Sequence, residues 1–133
     1  MVRLVIALLL AFFVALPAKA QEDPIQGVIS SQIEAFQRDD FATAFTFASP
    51  FIQRMFGSSE RFGAMVRNGY PMVWRPADVT FSGQEQRGPF TYQVVRIRDA
   101  EGQFHYLEYE MLQGENSWQI NGVQFIQAPE LAA

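Results

Sequence analysis

The chain has 133 residues, 49% of them hydrophobic and 14% aromatic, no cysteine, and a formal charge of −4 at pH 7. That length fits one domain, and the lack of cysteine excludes thiol catalysis, thiol redox chemistry and thiolate metal sites, so packing alone must hold the fold. An acidic chain without a basic cluster also excludes nucleic acid and anionic lipid as partners, because contacts to phosphate supply most of that affinity.

Residues 1–20 are unlike the rest. Met1-Val2-Arg3 is a short positive start, Leu4 to Leu16 is an unbroken apolar run, Pro17 breaks it, and Ala18-Lys19-Ala20 offers small side chains at a cleavage site. The run is shorter than the roughly 20 apolar residues that span a bilayer. No cysteine follows it to carry a lipid. Cleavage is therefore expected between Ala20 and Gln21, leaving a single domain over 21–133 that is periplasmic or secreted and meets the membrane only during export. Loss of Arg3 and Lys19 takes the formal charge from −4 down by two to −6, and every remaining basic residue is arginine.

Asp23-Pro24 starts a helix, with Asp23 as cap and proline at the first helical position. Ile25, Val28, Ile29, Ile33 and Phe36 then form one apolar stripe at spacings of three and four. Arg38-Asp39-Asp40 interrupts it, and Asp40 caps a second helix carrying Phe41, Ala44, Phe45 and Ala48. Ser49-Pro50 repeats the cap-and-proline pattern for a short third helix that ends by Gly57. Ser58 or Ser59 caps a fourth, with Phe62, Met65 and Val66 on its apolar face and Asn68-Gly69 at its end. Tyr70-Pro71 turns the chain.

The period then changes from helix to strand. Strands are predicted over 78–86, 90–98, 103–112 and 118–126, separated by turns at Arg87-Gly88-Pro89, Asp99-Ala100-Glu101-Gly102 and Gly114-Glu115-Asn116-Ser117. That spacing is an antiparallel meander. Helices first and an antiparallel sheet afterwards predict an α+β domain, with the helices on one face of the sheet.

Two stretches resemble the cone-shaped α+β fold of nuclear transport factor 2 and its relatives. One is Gln32 to Phe45, two helices meeting at an acidic corner followed by an aromatic. The other is the closing strand Trp118-Gln119-Ile120-Asn121-Gly122-Val123. More narrowly, Phe47-Ala48-Ser49-Pro50, Ile52 to Gly57, Arg61 to Val66 and Gly69 to Pro76 resemble the exported bacterial family called domain of unknown function 4864, over residues 24–128. The resemblance implies N-terminal helices on a curved antiparallel sheet of about four strands and an exported location. It carries no catalytic residue.

His105 is the single histidine, so a zinc site would rest on one imidazole plus carboxylates, and no metal is expected. Ser49 and Ser58 are explained as helix caps. Gly57, Gly63 and Gly69 form no phosphate loop, since no strand precedes them and no lysine follows. No cofactor is expected. On the third strand Tyr106, Glu108 and Glu110 share one face, opposite His105, Leu107, Tyr109 and Met111. Arg96 and Arg98 are expected to pair with Glu108 or Glu110 across the hairpin. Trp118 is expected to be buried against the first helices.

The expected pocket lies between the Tyr70–Trp74 segment and the concave sheet face, with Tyr70, Trp74, Arg75 and Tyr109 as its residues. Tyr70 and Trp74 would supply flat contact area, and Arg75 would orient an anionic or carbonyl-bearing ligand. The same aromatics could instead plug the cone as core. The functional expectation is an exported module that binds a small apolar or anionic molecule or a partner protein, with no catalytic site evident. Pairing into a homodimer through the sheet is compatible with it. The alternative is a cone-fold isomerase or dehydratase acting on a small hydrophobic carbonyl compound, with Glu108 or Glu110 as a buried base beside a tyrosine donor. Whether Glu101, Glu108, Glu110 and Glu115 are all solvated separates the two.

Overall fold

The computed structural model describes residues 23–129; the expected cleavage point at Ala20 and Gln21 lies outside them. Within that span α1 (Pro24–Gln37), α2 (Phe41–Thr46), α3 (Pro50–Phe56), α4 (Ser59–Gly69) and α5 (Pro71–Trp74) precede β1 (Asp78–Arg87), β2 (Phe90–Arg98), β3 (Phe104–Gln113) and β4 (Trp118–Phe125). The caps form as their residue types dictate. The Asp23 carboxylate accepts from the Ile25 and Gln26 N–H groups, Asp40 from Thr43, Ser49 from Ile52 and Ser58 from Arg61. Gly57 stops α3 at φ 79°, a conformation that glycine adopts without a Cβ penalty. One element departs from the sequence reading. Tyr70-Pro71 opens the short helix α5 rather than a simple turn, because proline at a first helical position forfeits no hydrogen bond.

The four strands form one antiparallel sheet in the order β1-β2-β3-β4. Alternation along β2 and β3 sends Val95, Ile97, Leu107, Tyr109 and Met111 to the inner face, where each is fully buried. Ile25, Ile29, Ile33 and Phe36 of α1 join them in one core with Phe62 and Val66 of α4. Removing such a side chain from water stabilises the fold by about 1.5–3 kcal/mol. Gly63 makes the helical layer tight, since a Cβ there would lie 2.6 Å from Cδ1 of Phe41. Trp118, expected in the core, is only half-buried. It stands at the start of β4, opposite Gln113, and packs against the core from its margin.

Two irregularities bend the sheet. In β1 the register shifts between Phe81 and Gln84. Gln93, fully buried, fills that defect: its amide donates to the Ser82 and Val94 carbonyls, both at 2.9 Å, and its oxygen accepts from Gln84 at 2.7 Å. In β3–β4 the shift falls between Glu110 and Met111, which leaves Asn121 as the extra residue between Ile120 and Gly122. Bulges of this kind re-aim a side chain out of the alternation. Here the strand also reaches the helices, for Ser49 N–H donates to the Ile120 carbonyl at 2.8 Å and Ile120 N–H to Phe47 at 2.9 Å.

Candidate functional site

A cavity of about 460 Å³ opens between the inner sheet face and the helices. Gln32 and Phe36 of α1, Ile52 and Phe56 of α3 and Phe62, Met65 and Val66 of α4 form its helical walls. Tyr70 and Val73, Tyr109 of β3, and Ile120 to Val123 of β4 close it on the other side. Phe51 and Met55 of α3 also line it and are more than half exposed, so they form its rim. The cavity exists because α3 is short and buries none of its side chains. Its N-terminus is tied to the sheet through Ser49 and the bridge of Ala48 to Ile120, and Ile52 and Phe56 pack against the core without filling the gap.

Among the described residues no carboxylate, imidazole or guanidinium lines this cavity. Four amide or hydroxyl side chains do: Gln32, Tyr70, Tyr109 and Asn121. The Gln32 amide donates to the Ala44 carbonyl at 3.2 Å. The Tyr70 hydroxyl donates to the Val123 carbonyl at 3.2 Å, and its ring stacks on Phe125 with centroids 5.1 Å apart. Asn121 is held at both ends, accepting from Ser49 Oγ at 2.7 Å and donating to Glu110 Oε2 at 2.7 Å. Tyr109 differs. Its side chain is fully buried, yet its hydroxyl has no hydrogen-bond partner among the described residues. Burial pushes this phenol's pKa well above the ordinary tyrosine value, and the neighbouring Tyr70 adds a smaller push in the same direction. The group is therefore a neutral O–H at any physiological pH. Leaving a buried hydroxyl unpaired costs about 1–3 kcal/mol.

The residues expected to form the pocket divide into two pairs. Tyr70 and Tyr109 line the cavity, whereas Trp74 and Arg75 do not. Both of the latter turn to Asp39. Trp74 Nε1 donates to Asp39 Oδ1 at 2.8 Å, and an Arg75 nitrogen contacts the same oxygen at 2.9 Å. Arg75 also donates to the Phe36 carbonyl at 2.9 Å and lies 4.3 Å from the Trp74 ring centroid. Together they clasp the α1–α2 corner, where Asp39 sits at φ 56°, a region that aspartate tolerates better than most residues. The bonds from Trp74 and then Arg75 hold the Asp39 carboxyl below its ordinary pKa. The guanidinium is thus paired with a structural carboxylate and lies outside the cavity lining.

The carboxylates of β3 are also placed differently. Glu108 and Glu110 sit on the outer face of the sheet and do not line the inner cavity. Neither pairs with Arg96 or Arg98, because the register sets those two opposite Tyr106 and Phe104. Arg96 instead lies 4.7 Å from the Phe104 ring centroid. Glu108 pairs with Arg87 at 2.8 Å. Glu110 accepts from the Tyr92 hydroxyl at 2.8 Å as well as from Asn121. Arg87 stacks 3.7 Å from the Tyr92 centroid and completes a small polar basin of about 220 Å³. The bond to Glu110 raises the Tyr92 pKa. Glu101 and Glu115 are solvent-exposed turn residues. Among the described residues the inner cavity thus has no carboxylate in the place where an enolising enzyme needs a base. His105 Nε2 meets Asp99 Oδ2 at 2.7 Å, which closes the β2–β3 turn, and no cluster of metal-binding side chains occurs among the described residues.

Reasoning from sequence missed Phe51, Ile52, Met55 and Met65 as part of the helical wall and rim. A seven-residue helix carrying Phe51, Ile52, Met55 and Phe56 was the available signal. It has more apolar side chains than one buried stripe can use.

The family model described as Domain of unknown function (DUF4864) matches residues 18–133. Two solved structures are similar. A SEC-C motif-containing protein from Rhodopseudomonas palustris is 14% identical with a TM-score of 0.51, over 75% of this chain and 77% of that one. A DUF4783 family protein from Bacteroides ovatus is 10% identical with a TM-score of 0.48, over 76% of this chain and 96% of that one. The first likeness shows the α+β fold alone. No curated protein sequence gives a significant match.

Proposed function

The chain belongs to the DUF4864 family, and within that frame we propose that it is an exported small-molecule-binding module whose site is the inner cavity. The observation that carries the reading is a cavity of about 460 Å³ with walls almost wholly apolar and aromatic. Small-molecule sites have this size and chemistry: a concave apolar surface with a few fixed polar groups. The positive start, apolar run and small-residue triplet of residues 1–20 support export, with work done in the periplasm or outside the cell. Among the described residues no helix is long and apolar enough to cross a membrane.

The test is saturable binding of a neutral fluorescent probe, N-phenyl-1-naphthylamine, to the purified protein. Val123 lines the cavity from β4 and is only partly buried. Val123→Phe should fill space at the wall and abolish the signal while circular dichroism stays unchanged. Trp74→Ala should leave probe affinity intact, since Trp74 lies outside the lining. Failure of the wild-type protein to bind, or equal binding by Val123→Phe, would refute the cavity as a binding site.

A further inference from the structure

We infer that Tyr109 is the specificity-determining residue of this cavity, and that its ligand is a neutral, largely apolar molecule carrying one hydrogen-bond acceptor such as a carbonyl or ether oxygen. The inference rests on the binding reading above and narrows it to a chemical class.

Of the four polar side chains in the lining, three already donate a hydrogen bond within the protein. Gln32 donates to Ala44, Tyr70 to Val123 and Asn121 to Glu110. These bonds hold the walls together and are not free to greet a ligand without breaking structure. Among the described residues only the Tyr109 hydroxyl is buried and unpartnered. Its position is rigidly set. It lies in the middle of β3, paired with Gln93 on one side and Val123 on the other, and the ring is fully buried in the core. Native proteins leave few buried polar groups unpaired, and an exception calls for an explanation. A hydroxyl without a partner, on a residue that lines an apolar cavity, is a donor awaiting an acceptor.

The same walls define what is refused. With no guanidinium, ammonium or imidazole in the lining among the described residues, a carboxylate or phosphate would enter desolvated and uncompensated. A ligand that offers only donors leaves the Tyr109 O–H itself without an acceptor. What remains is a neutral acceptor on an apolar body. Phe36, Phe56 and Phe62 supply aromatic wall for a flat one.

The experiment uses the purified full chain, calorimetric or fluorescence titration, and a matched series of shape-related probes: 2-isopropylnaphthalene, 2-acetylnaphthalene and 2-naphthoate. Tyr109→Phe is the decisive variant, because it deletes one buried oxygen and keeps the ring. The ketone should bind the wild-type protein about tenfold more tightly than the hydrocarbon, the worth of one good buried hydrogen bond. In Tyr109→Phe that preference should vanish while hydrocarbon affinity is kept, which also shows that the cavity is intact. The carboxylate should bind poorly to both. Equal affinity of ketone and hydrocarbon in the wild type, or a ketone preference that survives Tyr109→Phe, would overturn the inference and leave the binding reading standing. If neither neutral probe binds, both fall together.

Discussion

Tyr92 and Tyr109 stand on neighbouring strands of one sheet and have opposite environments. Tyr92, on the outer face, donates a hydrogen bond to Glu110 and lies under Arg87. Tyr109, on the inner face, is surrounded by apolar side chains, and its hydroxyl has no partner among the described residues. Both phenols are harder to ionise than usual, Tyr92 chiefly because its proton is shared with a carboxylate and Tyr109 because its anion would be desolvated. The difference teaches how to sort polar residues in such a fold. A satisfied network on a wet face is structural upkeep, whereas a lone donor in a dry cavity is a feature that folding alone does not explain.

The comparison breaks first if the inner face is not the core. Leu107 is fully buried beside Tyr109, so Leu107→Ala should cost about 2–5 kcal/mol by denaturant titration. Disrupting the outer Arg87–Glu108 pair by Arg87→Gln should shift the midpoint far less. A larger loss from the outer pair than from Leu107 would invert the assignment of faces.

A graded loss along the inner face would sharpen it. Trp118 is on that face but half-buried at the end of β4. Trp118→Ala should cost about 2 kcal/mol, below the roughly 3–5 kcal/mol of a fully buried tryptophan. A loss at the upper value would mean that the rim is packed as tightly as the centre.

The two tyrosines themselves should respond with opposite signs. Tyr109→Phe removes an unpaired buried hydroxyl and should raise stability by about 1 kcal/mol in the absence of ligand. Tyr92→Phe strips a hydrogen bond from Glu110 and should lower it. Paired thermal melts of the two variants read the signs directly, and a destabilised Tyr109→Phe would reveal a hydrogen-bond partner for that hydroxyl.

The smallest effect concerns acid. Asp39 and Asp99 are held below the ordinary aspartate value of 3.8, Asp39 first by its bonds from Trp74 and Arg75 and Asp99 first by its bond with His105. Groups lowered in this way stabilise the fold fully above the unfolded value. Between the two values the unfolded chain binds more protons, so that contribution is lost as pH falls through the folded one. Thermal midpoints should drop from about pH 5 to about pH 2, with a shallower fall in Asp39→Asn. Probe affinity should stay flat between about pH 5 and about pH 8, because among the described residues the cavity lining holds no carboxylate or imidazole.

The Asp39 corner shows where reading a sequence stops. Trp74-Arg75 beside Tyr70 has the composition of a ligand site, and the acidic corner at Asp39-Asp40 has that of a helix junction. Nothing in their spacing reveals that the two meet, since they are 35 residues apart. Glu110 is similar. Alternation places it opposite Tyr109, but only the pairing of β2 with β3 decides that its partner is Tyr92 and not an arginine of the same hairpin.

Local chemistry alone was enough for the caps at Asp23, Asp40, Ser49 and Ser58, the four strands with their turns, the α+β class, and the two faces of β3. Each depends on neighbours within a few residues, where side-chain type and periodicity dictate backbone geometry. The tertiary structure decided the rest: that α3 spans a gap it does not fill, that Asn121 is re-aimed at a bulge, that Arg75 serves a carboxylate, and that Tyr109 meets no partner. Those outcomes depend on strand register and on how helices seat across the sheet. Both are set by contacts between residues far apart in the chain, and a shift of one residue would send every side chain of a strand to the other face.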